Sequence, residues 1–230
     1  MRSALSLFEG SPLAAHVWRG SEVAQEAATV PTGHRELDLR LPGGGWPQGA
    51  LTEILLAREG IGELRLALPA LAHLTQQGHF AVLVDPPYLP YAPALLTARV
   101  VLSHLLIVRT RTLADRLWTF EQALRARECG AAFAWLASQD ERVLRRLQIA
   151  AREGGTWGVL WRRPGQLATT PTAALRLKLT PHAARMQVEI LKRRGGQVAH
   201  PFSLAIDHAV GMPALPGAAG RNLHARLAEG

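Results

Sequence analysis

The sequence holds a single cysteine, Cys129, which excludes an internal disulfide and any cysteine-rich zinc site. Its nine histidines form no H-x-x-x-H pair and stand beside no paired carboxylates, so no metal site is expected. No G-x-S-x-G turn and no Cys–His pairing points to a hydrolase. Residues 66–84 are the longest stretch without a charge, but Pro69 and the polar turn Gln76-Gln77-Gly78-His79 divide it. It reads as a helix, a turn and a strand rather than a membrane span. The first twelve residues contain no apolar segment long enough for a signal peptide, and a cytoplasmic protein without membrane contact is expected. Lysine is nearly missing too: 2 of the 26 basic residues, Lys178 and Lys192, are lysines and the rest are arginines.

What is present is globular in character, with 48% hydrophobic and 19% charged residues over 230 positions, enough for one α/β domain. The net charge of +8 is unevenly spread. Residues 1–100 carry 7 arginines against 9 acids, and residues 101–230 carry 19 basic residues against 9 acids. A basic second half fits a polyanion or an acidic protein surface as partner. Strand-like runs alternate with helical periods: Leu51–Leu56 (strand), Gly62–Gln77 (helix), His79–Val84 (strand), Pro93–Val101 (short helix), Leu105–Val108 (strand) and Leu113–Arg127 (helix). Ala131–Ala137 (strand), Glu141–Arg152 (helix) and Thr156–Trp161 (strand) continue the alternation, and Ala174–Leu179 with Gln187–Leu191 reads as an antiparallel pair. The spacing predicts a mostly parallel twisted sheet flanked by helices, with apolar runs such as Leu105–Val108 buried. Residues 1–30 read as an N-terminal arm, 31–207 as the core domain, and 208–230 as a mobile tail rich in Ala, Gly and Pro.

The first strand-to-helix turn, Ala57-Arg58-Glu59-Gly60-Ile61-Gly62-Glu63-Leu64, is where an open α/β sheet places a ligand. A working phosphate loop, G-x-x-x-x-G-K-[ST], needs a lysine to neutralise phosphate and a hydroxyl to hold magnesium. Gly62 stands where the last glycine belongs, Glu63 replaces the lysine and Leu64 replaces the hydroxyl. A carboxylate in place of an ammonium repels a triphosphate, so no cofactor is expected.

The segment running from Pro31-Thr-Gly through Leu41-Pro-Gly-Gly-Gly-Trp-Pro-Gln-Gly49 to Glu53-Ile54 resembles the entry to the RecA core. Val82-Leu-Val-Asp85 resembles the RecA strand that ends in aspartate, with Pro86 and Pro87 where a catalytic glutamate would follow. Ala131–Ala137 takes the place of the strand carrying a metal-associated acid, and no acid ends it. The resemblance covers roughly residues 30 to 205 and implies a RecA-like fold stripped of its ATPase residues. Within that group the chain resembles the ImuA family through His16-Val-Trp-Arg-Gly20, Gly60-Ile-Gly-Glu-Leu64, Pro69-Ala-Leu-Ala72 and Asp85-Pro-Pro-Tyr-Leu-Pro-Tyr91. That resemblance implies a non-catalytic accessory protein of SOS-induced translesion DNA synthesis. Its implied partners are RecA, an ImuB-like relative of Y-family polymerases and, indirectly, an error-prone C-family DNA polymerase. Two alternatives stand beside it: a SulA-like inhibitor of cell division that binds FtsZ, and an ATPase using Arg58 or Arg65 in place of the lysine.

Three basic clusters are candidate DNA contacts: Arg142, Arg145 and Arg146; Arg162 and Arg163; and Lys192, Arg193 and Arg194. The solvated face of a helix and the charged flanks of a hairpin explain the same residues. In the arm, Leu5, Leu7, Phe8, Val17 and Trp18 are candidate protein-interface residues, and Leu5-Ser-Leu-Phe8 resembles the end of a sliding-clamp binding peptide, although Ala4 stands where its glutamine belongs. Trp135 and Trp157 sit inside strand patterns and are expected in the core.

Overall fold

The computed structural model describes residues 28–136, 140–162, 172–182, 185–194 and 200–206. The arm residues Leu5, Leu7, Phe8, Val17 and Trp18, together with Arg163 and the tail from 208 onward, lie outside the described residues.

The described chain opens with a two-stranded ribbon, β1 (Thr29–Val30) against β2 (Trp46–Pro47), which encloses the short helix α1 (Arg35–Asp38) and a 3-10 turn at Pro42–Gly44. The main sheet has eight strands in the order β10-β9-β8-β3-β7-β6-β4-β5. Its members are β3 (Ala50–Leu56), β4 (Phe80–Val84), β5 (Leu105–Val108), β6 (Cys129–Trp135), β7 (Trp157–Arg162), β8 (Leu175–His182), β9 (Arg185–Lys192) and β10 (Phe202–Leu204). From β8 to β5 every pairing is parallel, while β9 and β10 are antiparallel additions at one edge. The helices between parallel strands are α2 (Glu63–Gln76), α3 (Ala92–Thr97), α4 (Leu113–Arg125) and α5 (Glu141–Gly154). This is an α/β fold with a mixed sheet flanked by helices, consistent with the RecA-like resemblance.

Local chemistry sets the element ends. Thr112 caps α4 by accepting from the Asp115 backbone N–H at 3.1 Å, and its hydroxyl donates to the Asp115 carboxylate at 2.8 Å. Asp140 caps α5 by accepting from the Arg142 backbone N–H at 2.6 Å. The central strands β3, β6 and β7 are buried along their whole length, as their near-continuous apolar sequences require. Two apolar cores form on opposite faces of the sheet. One joins α2 to the 28–50 segment through Leu66, Leu71, Leu37 and Trp46; the other places Phe120, Leu124, Leu144 and Leu147 of α4 and α5 against β4, β6 and β7. The 28–50 segment docks tightly on α2, because a Cβ on Gly33 would sit 2.2 Å from the Cβ of Pro69.

One expectation changes. Leu105–Val108 is not a buried strand: β5 is the sheet edge, where Leu106 and Ile107 are exposed because no strand pairs beyond it. Arg142, Arg145 and Arg146 lie on α5, the helix expected from Glu141 onward. Among the described residues no helix is long and apolar enough to cross a membrane.

Candidate functional site: a phosphate-type turn closed by its own carboxylate

The carboxyl ends of β3, β7, β6, β4 and β5 share one edge of the sheet, as parallel pairing dictates. At the end of β3 the chain turns through residues 57–62 into α2. Gly60 (φ 76°) and Gly62 (φ 90°) both adopt left-handed backbone, which side-chain-bearing residues rarely tolerate. Gly62 caps the helix without a side-chain oxygen to offer. The polar group that meets the turn is Glu63: only 5% exposed, its Oε1 accepts the Gly60 backbone N–H at 3.2 Å. The carboxylate therefore occupies, from within, the environment that makes a helix N-terminus attractive to phosphate. Leu64, where a metal-binding hydroxyl belongs, packs against the apolar core instead. Glu59 is half-buried and Arg58 exposed, so all six residues singled out in this turn lie together at its surface or base.

The neighbouring strand ends carry the same message. β6 ends in Trp135 and β7 carries Trp161, their rings stacked with centroids 5.9 Å apart, and Phe133 stacks on Trp161 from below. Among the described residues neither β6 nor β7 ends in an acid. The same aromatic column continues through Trp157 to Trp46, so Trp135 and Trp157 are core residues as expected. Among the described residues, no group of three His, Cys, Asp or Glu side chains could hold a metal ion.

Asp85 follows the last residue of β4 in a left-handed conformation (φ 48°). Its Oδ1 accepts the Thr110 backbone N–H at 2.8 Å, and its Oδ2 accepts the Thr110 hydroxyl and Arg116 Nε, the latter at 2.6 Å. Burial works against the charge, but the Thr110 hydrogen bonds and the Arg116 guanidinium outweigh it and hold the carboxyl below its usual range. Asp85 thus locks the ends of β4 and β5 to α4.

One cluster escaped the sequence reading. Glu53, in the middle of β3 and fully buried, pairs with Arg162 Nη1 at 2.7 Å and with Arg176 Nε at 2.8 Å. Three adjacent strands are tied by one carboxylate. The signal was available as a lone charge inside the apolar run Leu51–Leu56. Lys192 borders the cluster and donates to the Ala173 carbonyl at 2.7 Å; burial, followed by the Arg176 charge, lowers its pKa.

The basic candidates are therefore not equivalent. Arg162 is a buried structural cation rather than a surface contact, because Glu53 holds it inside the sheet. Arg145 pairs with Glu141 at 2.5 Å on exposed helix surface, exposed Arg146 pairs at 2.8 Å with the largely buried Glu121 of α4, and Arg142 is exposed beside them. Arg193 is half-buried and donates to the Arg40 carbonyl, Lys192 is half-buried, and Arg194 is exposed. α5 packs on one face of the sheet, and the 28–50 segment that Arg193 bonds packs on the other, so the two basic groups do not merge into one patch.

No protein-family model matches the chain. It is 33% identical over 66 residues to Protein RecA of Enterococcus hirae and 35% identical over 66 residues to Protein RecA of Enterococcus gallinarum, in each case 29% of this chain and 19% of the relative. It is 35% identical over 141 residues to Protein ImuA of Caulobacter vibrioides, 57% of each chain. The matches thus span about a fifth of the RecA relatives and little more than half of the ImuA relative. They establish homology to members of the RecA-like superfamily that includes ImuA.

Proposed function

We propose that this chain is a non-catalytic RecA-like accessory protein of SOS-induced translesion DNA synthesis. It acts by holding partners: RecA, an ImuB-like relative of Y-family polymerases and, through the latter, an error-prone C-family polymerase. The observation that carries the reading is Glu63, which presents a buried carboxylate to the turn where a nucleotide-binding relative needs positive charge. A negative group at about 4 Å from phosphate oxygens opposes binding by several kcal/mol at an effective dielectric near 20. The stacked Trp135 and Trp161 rings support it, because this buried apolar pair near the ends of β6 and β7 offers no oxygen ligand to a hydrated metal. Homology to ImuA supports the pathway, and the exposed arginines of α5 and Arg194 support DNA as a further partner.

Calorimetry with ATP and magnesium tests the non-catalytic part, and no heat of binding is expected. Tight binding that Arg58→Ala or Arg65→Ala abolishes would establish an unorthodox ATPase instead. Affinity capture from DNA-damaged cells tests the partners: recovery of the polymerase relative or RecA supports the reading, and recovery of FtsZ alone replaces it with cell-division inhibition.

A further inference from the structure

We propose that the ledge following β4, built on Tyr88, Leu89 and Tyr91, is a stacking platform for single-stranded nucleic acid, with Arg58, Arg109 and Arg111 as its phosphate contacts. These three large apolar residues and nearby Leu96 expose 65, 73, 54 and 58% of their surface within one short stretch of chain. A compact domain rarely leaves such a cluster uncovered without use for it. The ledge is also firmly held. At its root, the Asp85 carboxylate is fixed by Thr110 and Arg116. Arg109 donates to the Pro86 carbonyl, and the Tyr88 ring lies against Gly60, where an added Cβ would meet it at 3.1 Å. At its far end, the Tyr91 carbonyl accepts the Ala94 and Leu95 backbone N–H groups at 3.0 and 3.2 Å. The Tyr88 ring and the Tyr91 backbone thus stand in place before any ligand arrives, which limits the ordering cost of binding.

The charge around the ledge selects the occupant. Arg58 lies two residues from the Gly60 contact, and the Asp85–Thr110 hydrogen bond sets Arg109 and Arg111 beside the ledge root. All three arginines are exposed and form no ion pair with a described residue. The acids nearby are Asp85 and Asp115, engaged with Thr110, Arg116 and Thr112, the buried Glu63, engaged with the Gly60 N–H, and the half-buried Glu59. Exposed aromatic faces among these guanidinium groups fit unpaired bases on a phosphate backbone, where stacking supplies affinity without sequence preference. A duplex keeps its base faces covered and cannot use the tyrosines. The ledge is separate from the arginines of α5 and those after β9; it borders the phosphate-type turn through Arg58 and Gly60, but stacking on the tyrosines requires no ATP in that turn, so oligonucleotide binding and the ATP calorimetry can each fail alone.

The experiment is fluorescence anisotropy with a labelled oligothymidylate and with a duplex of equal length, over a salt series. Wild-type protein is expected to bind the single strand more tightly than the duplex and to weaken steeply as salt rises. Tyr88→Ala and Tyr91→Ala should each weaken single-strand binding by about 5-fold or more, while Tyr88→Phe and Tyr91→Phe keep it. Photocrosslinking of wild-type protein to an iodouracil oligonucleotide should mark residues 88–91, a readout independent of any variant. Failure to bind at low salt, alanine variants that bind like wild type, equal affinity for duplex, or crosslinks confined to other segments would each overturn the proposal. Loss of a protein partner by the alanine variants, with oligothymidylate unbound throughout, would assign the ledge to that protein instead.

Discussion

Glu53 and Glu63 lie ten residues apart on one strand and the helix that follows, both are buried, and their surroundings satisfy them in opposite ways. Glu53 sits in the middle of the sheet and is met by two guanidinium groups from the flanking strands. Glu63 sits at the rim and accepts a backbone N–H from the turn before its own helix. The first carboxylate holds three strands in register. The second settles a local excess of donors at a helix start, which a bound anion could settle equally well. A buried charge whose partners are side chains on other strands is therefore a device of the fold, whereas one whose partner is its own turn bears on which ligands that turn admits.

Glu53→Ala should break the comparison most severely. It leaves the Arg162 and Arg176 guanidinium groups buried without their counter-charge, at a cost of about 3–5 kcal/mol, so thermal or urea unfolding should show a much less stable protein. Replacing all three members by apolar residues of similar size should recover much of that loss, because desolvation of the charges disappears with them. Full stability of Glu53→Ala would show that the triad carries no structural weight.

Asp85 gives the next largest effect and a pH signature. Its folded carboxyl is held below the unfolded value, so the stability it contributes is present above the unfolded pKa of about 3.9 and is lost as pH falls through the lower folded value. Asp85→Asn should cost about 1–3 kcal/mol at neutral pH, and the gap to wild type should close in acid. Chemical denaturation of both proteins from neutral to acidic pH measures this, and a gap independent of pH would show that Thr110 and Arg116 do not stabilise the charged form.

Much of this architecture was legible in the sequence, and the parts that were not share a cause. Alternating helical and apolar periods place α2, α4, α5 and the central strands within a few residues, because local pattern and tertiary burial agree there. The apolar run Leu105–Val108 reads as an interior strand, yet it forms the exposed edge: sequence period reports the shape of a strand but not how many neighbours it has. The basic residues show the same limit. Arg162 and Arg194 look alike in composition, but one is sealed against Glu53 and the other is exposed, a difference set by residues more than a hundred positions away. The degenerate turn was readable because its chemistry is local, with Glu63 and Gly60 three residues apart. The Tyr88–Tyr91 stretch was visible as a motif, but its exposure depends on contacts with Gly60 and Arg109 that sequence does not display.

Glu63→Gln gives the smallest expected effect on stability and the sharpest test of what the turn does. The amide oxygen can still accept the Gly60 N–H, so the hydrogen bond survives and only the negative charge at the helix start is lost. The expected cost is about 0.3–1 kcal/mol, reduced by salt as a helix-dipole interaction should be. Urea titrations of both proteins at low and high salt measure it. A larger loss that salt does not change would mean that the Glu63 charge is held by partners sealed from solvent. The turn would then differ from Glu53 in degree alone, and the contrast between a carboxylate that builds the sheet and one that closes a ligand position would disappear.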